Sequence, residues 1–228
     1  MKEKVLVIVA HPDDEILGCG GTLIKHISKS DIVQVVFTSD SESNRFENVN
    51  SASKRIIKRQ EIAQNVSKKL NFKKPIFLNY PNLKLSRDDI TSMNKMIKNI
   101  INSYQPTTIY THYPYDVHHD HRATYEATVV ACRPLNRFKI KKIITFEIPS
   151  ATEFSYVPNK ISFTPNYFIN IEKEMNKKIK ILKYYKNELL SYPSIRSFQG
   201  VKNLTQYRGN MVNLKHAEAF EIVRFVDF

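Results

Sequence analysis

The chain has 228 residues, of which 42% are hydrophobic and 25% charged, with 35 Lys and Arg against 22 Asp and Glu, a formal net charge of +13. That length is ample for a sizeable α/β core, and the ordinary apolar share excludes a disordered or fibrous chain. The basic excess attracts anionic partners in principle, but the lysines are spread along the chain, as on solvated faces. Two cysteines, Cys19 and Cys132, form no C-x-x-C pair and no disulfide framework, which fits a reducing compartment.

Residues 5–9 are a continuous apolar, mostly β-branched run and predict a buried central strand. Residues 14–28 follow with a helix-like pattern despite Gly18, Gly20 and Gly21, which implies close backbone packing or an irregular first turn. A second strand is predicted over 32–37, a polar loop over 38–50, and a helix over 52–70 with Ile56, Ala63, Val66 and Leu70 on one face. Residues 75–78 read as a short strand. Residues 86–104 read as a helix, with Ser86 as N-cap, Asp88 and Asp89 in the first turn, and Ile90, Met93, Ile97 and Ile101 as its stripe. A strand over 107–110, a loop rich in His and Asp over 112–121, a helix over 121–131 and a strand over 142–146 complete the regular part. Beyond 150, strands are expected over 167–171 and 219–226, with an amphipathic helix over 172–190 between them.

The alternation predicts an α/β, Rossmann-like fold: a mostly parallel sheet with helices on both faces and a C-terminal extension. The whole of 1–228 reads as a single domain, with a core of about 1–149 and an extension of about 150–228. The apolar run at 5–10 is too short for a signal-peptide core, and no stretch approaches the roughly 18 apolar residues of a membrane span. A cytoplasmic protein is expected, with contact to a membrane surface left open. Oligomerisation is also open, and the Tyr- and Phe-rich segment 154–168 is a surface for it.

Two polar clusters stand at predicted strand ends, where open α/β sheets form their sites. The first is Ala10-His11-Pro12-Asp13-Asp14-Glu15. The second, from His112 to His121, holds Asp116, His118, His119, Asp120 and His121. His11 and Asp14 offer an imidazole nitrogen and a carboxylate oxygen, both suited to zinc, with Pro12 stiffening the loop between them. Asp13 adds a carboxylate that need not touch a metal. Catalytic zinc takes three protein ligands, and His118 and His121, one helical turn apart, can supply the third. Alternatively, Asp13 and Asp14 are N-cap carboxylates and the histidines belong to a surface loop. The presence of both clusters at strand ends favours the metal reading.

The motifs Ala10-His-Pro-Asp-Asp-Glu15 and Asp116-Val-His-His-Asp-His121 resemble the signatures of the PIG-L/LmbE-type deacetylases, with weaker resemblance at Phe146-Glu147-Ile-Pro-Ser150 and Ala217-Glu218-Ala219-Phe220. That family uses zinc to remove the N-acetyl group, as acetate, from N-acetylglucosamine-containing substrates. The resemblance implies zinc on His11, Asp14 and His121, with other divalent transition metals also suited to the donors. It implies Asp13 as general base, His118 as oxyanion stabiliser, and Asp120 as the residue that holds His118 charged and oriented. His119 stands where many relatives carry proline. The basic residue often found in the helix after the second strand has three candidates: Arg55, Lys58 and Arg59.

The implied partner is a small N-acetylated sugar, with an anionic or lipid-linked conjugate fitting the basic charge. A zinc amidase acting on a different N-acyl conjugate would share all of this machinery. A nucleic-acid-binding module would need an RNA- or DNA-binding motif, and the sequence has none, so no nucleic acid is expected.

Overall fold

The computed structural model describes residues 2–44, 49–134, 139–154 and 162–228. The apolar run after the N-terminus forms β1 (Lys4–Val9), paired in parallel with β2 (Ile32–Ser39) on one side and β4 (Thr108–His112) on the other. Strand β3 (Ile76–Tyr80) lies parallel outside β2, and β5 (Lys142–Phe146) parallel beside β4. The extension adds β6 (Tyr167–Asn170) and β7 (Ala217–Phe225) to the same sheet. Strand β7 runs antiparallel to both β5 and β6, and the order is β3-β2-β1-β4-β5-β7-β6. The fold is therefore α/β with a mostly parallel, Rossmann-like sheet.

Side chains of β1 alternate between two cores, as strand geometry requires. Val5, Val7 and Val9 join the cluster containing residues of α1 (Asp14–Ser28), α2 (Val49–Lys69) and α5 (Met175–Leu182). Leu6 and Ile8 join that of α3 (Arg87–Tyr104) and α4 (His119–Ala131). Being covered on both faces, β1 needs the unbroken apolar run seen in its sequence. Ser86 caps α3 as expected, in a capping box completed by Asp89.

The extension departs from expectation in two places. The single helix expected over 172–190 is α5 followed by a 3-10 stretch, Lys183–Glu188, kinked at Tyr185. A further helix, α6 (Phe198–Asn210), was not expected. It buries Gly200, Val201, Thr205 and Gly209, so small side chains replace the large apolar stripe that would have marked it.

The glycine-rich helix α1 is irregular, with Cys19 at φ −141°. A Cβ on Gly18 would lie 2.2 Å from the Phe146 ring, so α1 packs closer to β5 than any side chain permits. Beyond the kink, the N–H groups of Gly21 and Thr22 donate to the Glu218 carboxylate at 2.8 and 2.7 Å. Buried Lys178 of α5 donates to Glu218 at 2.7 Å and to the Leu17 carbonyl at 2.9 Å. This buried network ties the extension to the helix that begins at the first motif.

Among the described residues no helix is long and apolar enough to cross a membrane. Parts of two expected loops, 45–48 of 38–50 and 155–161 of 154–168, lie outside the described residues.

Candidate active site

The strand order reverses at β1 and β4, and the chain leaves their carboxyl ends in opposite directions to open a crevice. The two motif loops meet there. Leaving β1, the chain turns through Asp13 at φ 129°, a backbone conformation that non-glycine residues adopt only under constraint. The Asp13 side chain makes no capping bond to α1, so helix capping does not account for it. Asp14 folds back instead, its Oδ2 accepting the His11 N–H at 2.8 Å.

Three side-chain atoms from the two loops form a nearly equilateral triangle. His11 Nδ1 lies 3.3 Å from Asp14 Oδ2, His121 Nε2 lies 3.4 Å from Asp14 Oδ2, and His121 Nε2 lies 3.3 Å from His11 Nδ1. Donor atoms at about 2.0–2.1 Å from a tetrahedral ion stand about 3.3–3.4 Å apart, so this triangle fits one face of a zinc coordination sphere. The far nitrogen of each imidazole meets a carboxylate. His11 Nε2 is 3.0 Å from Asp120 Oδ2, and His121 Nδ1 is 3.0 Å from Asp116 Oδ2. Such outer carboxylates fix the tautomer and aim of metal-ligating histidines. Asp14 Oδ1 is buried without a hydrogen-bond partner.

The electrostatics point the same way. Burial would lower the His121 pKa, but Asp14 and Asp116 outweigh it and push it up to about 10. His11 is likewise raised, against its burial, by Asp120 and Asp14. Burial would raise Asp14, yet His121 and His11 hold it well below the ordinary carboxylate range. Three carboxylates thus surround two imidazoles and favour positive charge at this point, which protons or a metal ion can supply.

The structure adds His112, the last residue of β4, to the cluster. Its Nε2 accepts the Ala10 N–H at 2.8 Å, and its ring stacks on His121 at 3.9 Å between centroids. Burial and the neighbouring His121 hold its pKa well below the usual value. Only its place at a strand end beside the second motif could have marked it in the sequence.

Asp13 stands beside the triangle and is fully buried. Burial raises its pKa, opposed first by Arg196 and less by Arg59. Arg196 Nη2 donates to Asp13 Oδ2 at 2.7 Å, while Arg59 Nη2 lies 3.7 Å from Asp13 Oδ1. Of the three basic candidates on α2, the structure brings Arg59 into the site. It donates to the Pro12 carbonyl at 2.9 Å and to Glu42 at 3.0 Å, and lies 3.2 Å from Glu188. Arg55 stands further out, 3.7 Å from Glu188, and Lys58 is exposed. Arg196 belongs to no motif, and sequence reasoning missed it.

His118 is the N-cap of α4, and its Nδ1 accepts the Asp120 N–H at 3.2 Å. A ring that accepts at Nδ1 is neutral and carries its proton on Nε2. Burial, then His11 and His121, lower the His118 pKa to about 3. The Asp120 charge favours the protonated His118, as expected, but less than burial and the two neighbouring imidazoles disfavour it. The Asp120 carboxylate is engaged by His11 Nε2 and by the Leu83 N–H at 3.0 Å, and it is the Asp120 backbone that orients His118. His119 points elsewhere, to the Leu85 carbonyl at 3.3 Å.

The cluster opens into a cavity of about 370 Å³, within the range of small-molecule sites. Ser150 and Ala151, after β5, form one wall. Residues 187–190 and Arg196, from the extension, form another.

A mostly parallel α/β sheet with a His–Asp–His triangle at its switch point defines a class of Rossmann-like proteins with a candidate metal centre. Within that class, residues 6–132 match the PIG-L family, described as GlcNAc-PI de-N-acetylase, and the chain belongs to this family of deacetylases. It is 31% identical over 191 residues to the uncharacterized deacetylase YaiS of Escherichia coli (strain K12), covering 82% of this chain and 92% of YaiS. The fold is shared with N,N'-diacetylchitobiose deacetylase from Pyrococcus horikoshii, at TM-score 0.72 and 21% identity over 97% of this chain and 84% of that one. It is shared equally with GalB, the 4-carboxy-2-hydroxymuconate hydratase from Pseudomonas putida KT2440, at TM-score 0.76 and 18% identity over 100% and 99%. A hydratase on the same scaffold shows that the fold alone does not name the reaction.

Proposed function

We propose that this chain is a metal-dependent N-deacetylase that hydrolyses the acetamide of an N-acetylglucosamine-type sugar or sugar conjugate. The observation that carries the reading is the ligand triangle of His11, Asp14 and His121 with the carboxylate of Asp13 beside it. Those three residues would hold zinc or a similar divalent transition metal. The chemistry such an ion supplies when bound is Lewis acidity, which brings the pKa of water towards about 7 and polarises an amide carbonyl.

The chain's own residues do the rest. Asp13 is the general base. Its Oδ2 is held by Arg196 and its Oδ1 has no hydrogen-bond partner, so Oδ1 is the atom that takes a proton from the attacking water. As the C–N bond breaks, Asp13 returns that proton to the leaving amine. His118 acts as a neutral donor, its Nε2–H meeting the oxyanion that develops on the carbonyl oxygen. Asp120 serves the metal site by orienting His11, and Asp116 does the same for His121.

We read the whole of 1–228 as one working unit, because the extension supplies Arg196 and one wall of the cavity. The sugar is argued from the family and from the chitobiose deacetylase likeness. A different N-acyl conjugate remains the second reading, since the metal machinery would be unchanged. The test is acetate release from a panel of N-acetylglucosamine derivatives and non-sugar N-acetyl amides by metal-loaded protein. Turnover of the sugars is expected, and turnover of the non-sugar amides alone would overturn the substrate class.

A further inference from the structure

Asp13 is the N-cap of α1, yet neither its backbone nor its side chain has capping geometry. An N-cap aspartate ordinarily has extended backbone and turns its carboxylate to the first N–H groups of the helix. Asp13 instead stands at φ 129°, and its side chain lines the cavity. A non-glycine residue keeps such a conformation only where its surroundings impose it.

Hydrogen bonds on both sides of Asp13 impose it. Its carbonyl accepts the N–H groups of Ile16 and Leu17 at 3.0 and 2.9 Å. Its own N–H donates to Glu15 Oε2 at 3.0 Å. Glu15 is the second residue of α1 and is 1% exposed. A glutamate in the first turn of a helix can favour the helix dipole from the surface, in contact with water. Burying its carboxyl is costly unless the group is hydrogen-bonded.

The second bond to Glu15 comes from the extension. The Tyr185 hydroxyl donates to Glu15 Oε1 at 2.7 Å. Tyr185 is the residue at which the 3-10 stretch kinks, at φ −95° and ψ 21°, and it is buried in the core shared with α1 and α2. A buried hydroxyl needs a partner, and Glu15 is that partner. The extension thus reaches Asp13 twice. Arg196 bonds its carboxylate, and Tyr185 bonds the residue that holds its N–H.

On the reading of Asp13 as the base of a deacetylase, we propose that Glu15 and Tyr185 are positioning residues. They hold the Asp13 backbone in the conformation that turns its carboxylate into the cavity. Neither lines the cavity, so each acts through Asp13.

The test is the double variant Glu15→Met/Tyr185→Phe, in which apolar groups of similar shape replace both buried polar partners, an exchange that costs little stability. Metal content, thermal unfolding, and kcat and KM for acetate release are measured beside wild type and Glu15→Gln. The double variant is expected to fold, to carry its metal, and to lose about tenfold or more in kcat with KM within about threefold of wild type. Glu15→Gln keeps an oxygen for the Asp13 N–H and gains an amide donor for the Tyr185 oxygen, so it should retain kcat within about threefold. A crystal structure of the double variant should show Asp13 at negative φ with its carboxylate on the N–H groups of α1. Should the double variant not fold, Tyr185→Phe alone deletes one hydroxyl and should lose about threefold or more in kcat at unchanged KM, with wild-type kcat there overturning the proposal.

Wild-type kcat in a folded double variant, Asp13 still near φ 129°, or a Glu15→Gln variant as impaired as the double one would each overturn the proposal. So would a loss of metal large enough to account for the lost turnover, since that places the effect on the ligands. Wild-type protein that releases no acetate defeats the deacetylase reading instead, and the Asp13 backbone in the variant then decides the positioning role.

Discussion

Arg196 donates a hydrogen bond from Nη2 to Asp13 Oδ2 at 2.7 Å, bringing the extension of the chain onto the carboxylate of the first motif. The guanidinium offsets part of the burial that raises the Asp13 pKa. Replacing Arg196 with Ala removes a charge-assisted bond of about 1.5–3 kcal/mol and lets the Asp13 pKa rise further. A base works in its ionised form, so activity is lost as pH falls through this pKa. The acid limb of the pH–rate profile of Arg196→Ala should therefore move to higher pH, with kcat/KM reduced at neutral pH. An unmoved limb would show that Arg196 does not set the ionisation of Asp13.

Removing the base and removing a ligand should give different defects. Asp13→Asn is expected to keep its metal, measured by elemental analysis, and to lose about 10²–10⁴ in turnover. His121→Ala should lose the metal itself. Full metal occupancy in His121→Ala would count against the triangle as the binding site.

Metal uptake should release protons. In the metal-free chain His121 has a pKa pushed up to about 10 by Asp14 and Asp116, against its burial, so it is protonated at neutral pH. A ligating imidazole must give up that proton. Calorimetric titration of zinc in buffers of different ionisation enthalpy should show net proton release, and the apparent affinity should fall as pH falls. The metal should also raise the midpoint of thermal unfolding, by about 4 kcal/mol of stability at a free concentration a thousand times the dissociation constant.

Glu15 should impose a pH dependence on folding. Burial pushes its pKa up to about 8, although the Tyr185 hydroxyl donates to it at 2.7 Å and the Asp13 N–H at 3.0 Å. Between its unfolded value near 4.5 and about 8 the folded state binds the extra proton, so this contribution to stability declines as pH rises through that window. In metal-free protein, urea unfolding of Glu15→Gln should show a shallower decline from pH 5 to pH 8 than wild type. Equal slopes would remove Glu15 as the source.

The ion pair of Lys178 and Glu218 should be a stability element. Both side chains are buried, and Glu218 also accepts the N–H groups of Gly21 and Thr22. Lys178→Met leaves a buried carboxylate uncompensated and should cost about 3–5 kcal/mol in denaturant unfolding. Adding Glu218→Gln to that variant should recover part of the loss.

Local chemistry made much of this protein legible from sequence. Apolar β-branched runs between amphipathic stretches determined β1 to β5 and their helices, because side chains covered on both faces of a sheet must be apolar along the whole strand. Adjacent residues of different chemistry at two strand ends marked His11, Asp14 and either His118 or His121 as metal-ligand candidates, and the family resemblance singled out His121. Helix α6 escaped notice because it packs through glycine, threonine and valine and has no large apolar stripe.

What only the tertiary structure decided are the partners. Arg196, Arg59, Glu42 and Glu188 meet around Asp13 from separate parts of the chain, and each alone looks like an ordinary surface charge in sequence. Asp120 stands next to two motif histidines in sequence, yet its carboxylate turns to His11 across the crevice and leaves its N–H to His118. Residue type and spacing determine which groups can ligate or ionise. The distances that choose among them come from the packing of β1 against β4 and the fold of the extension over both, which no local pattern encodes.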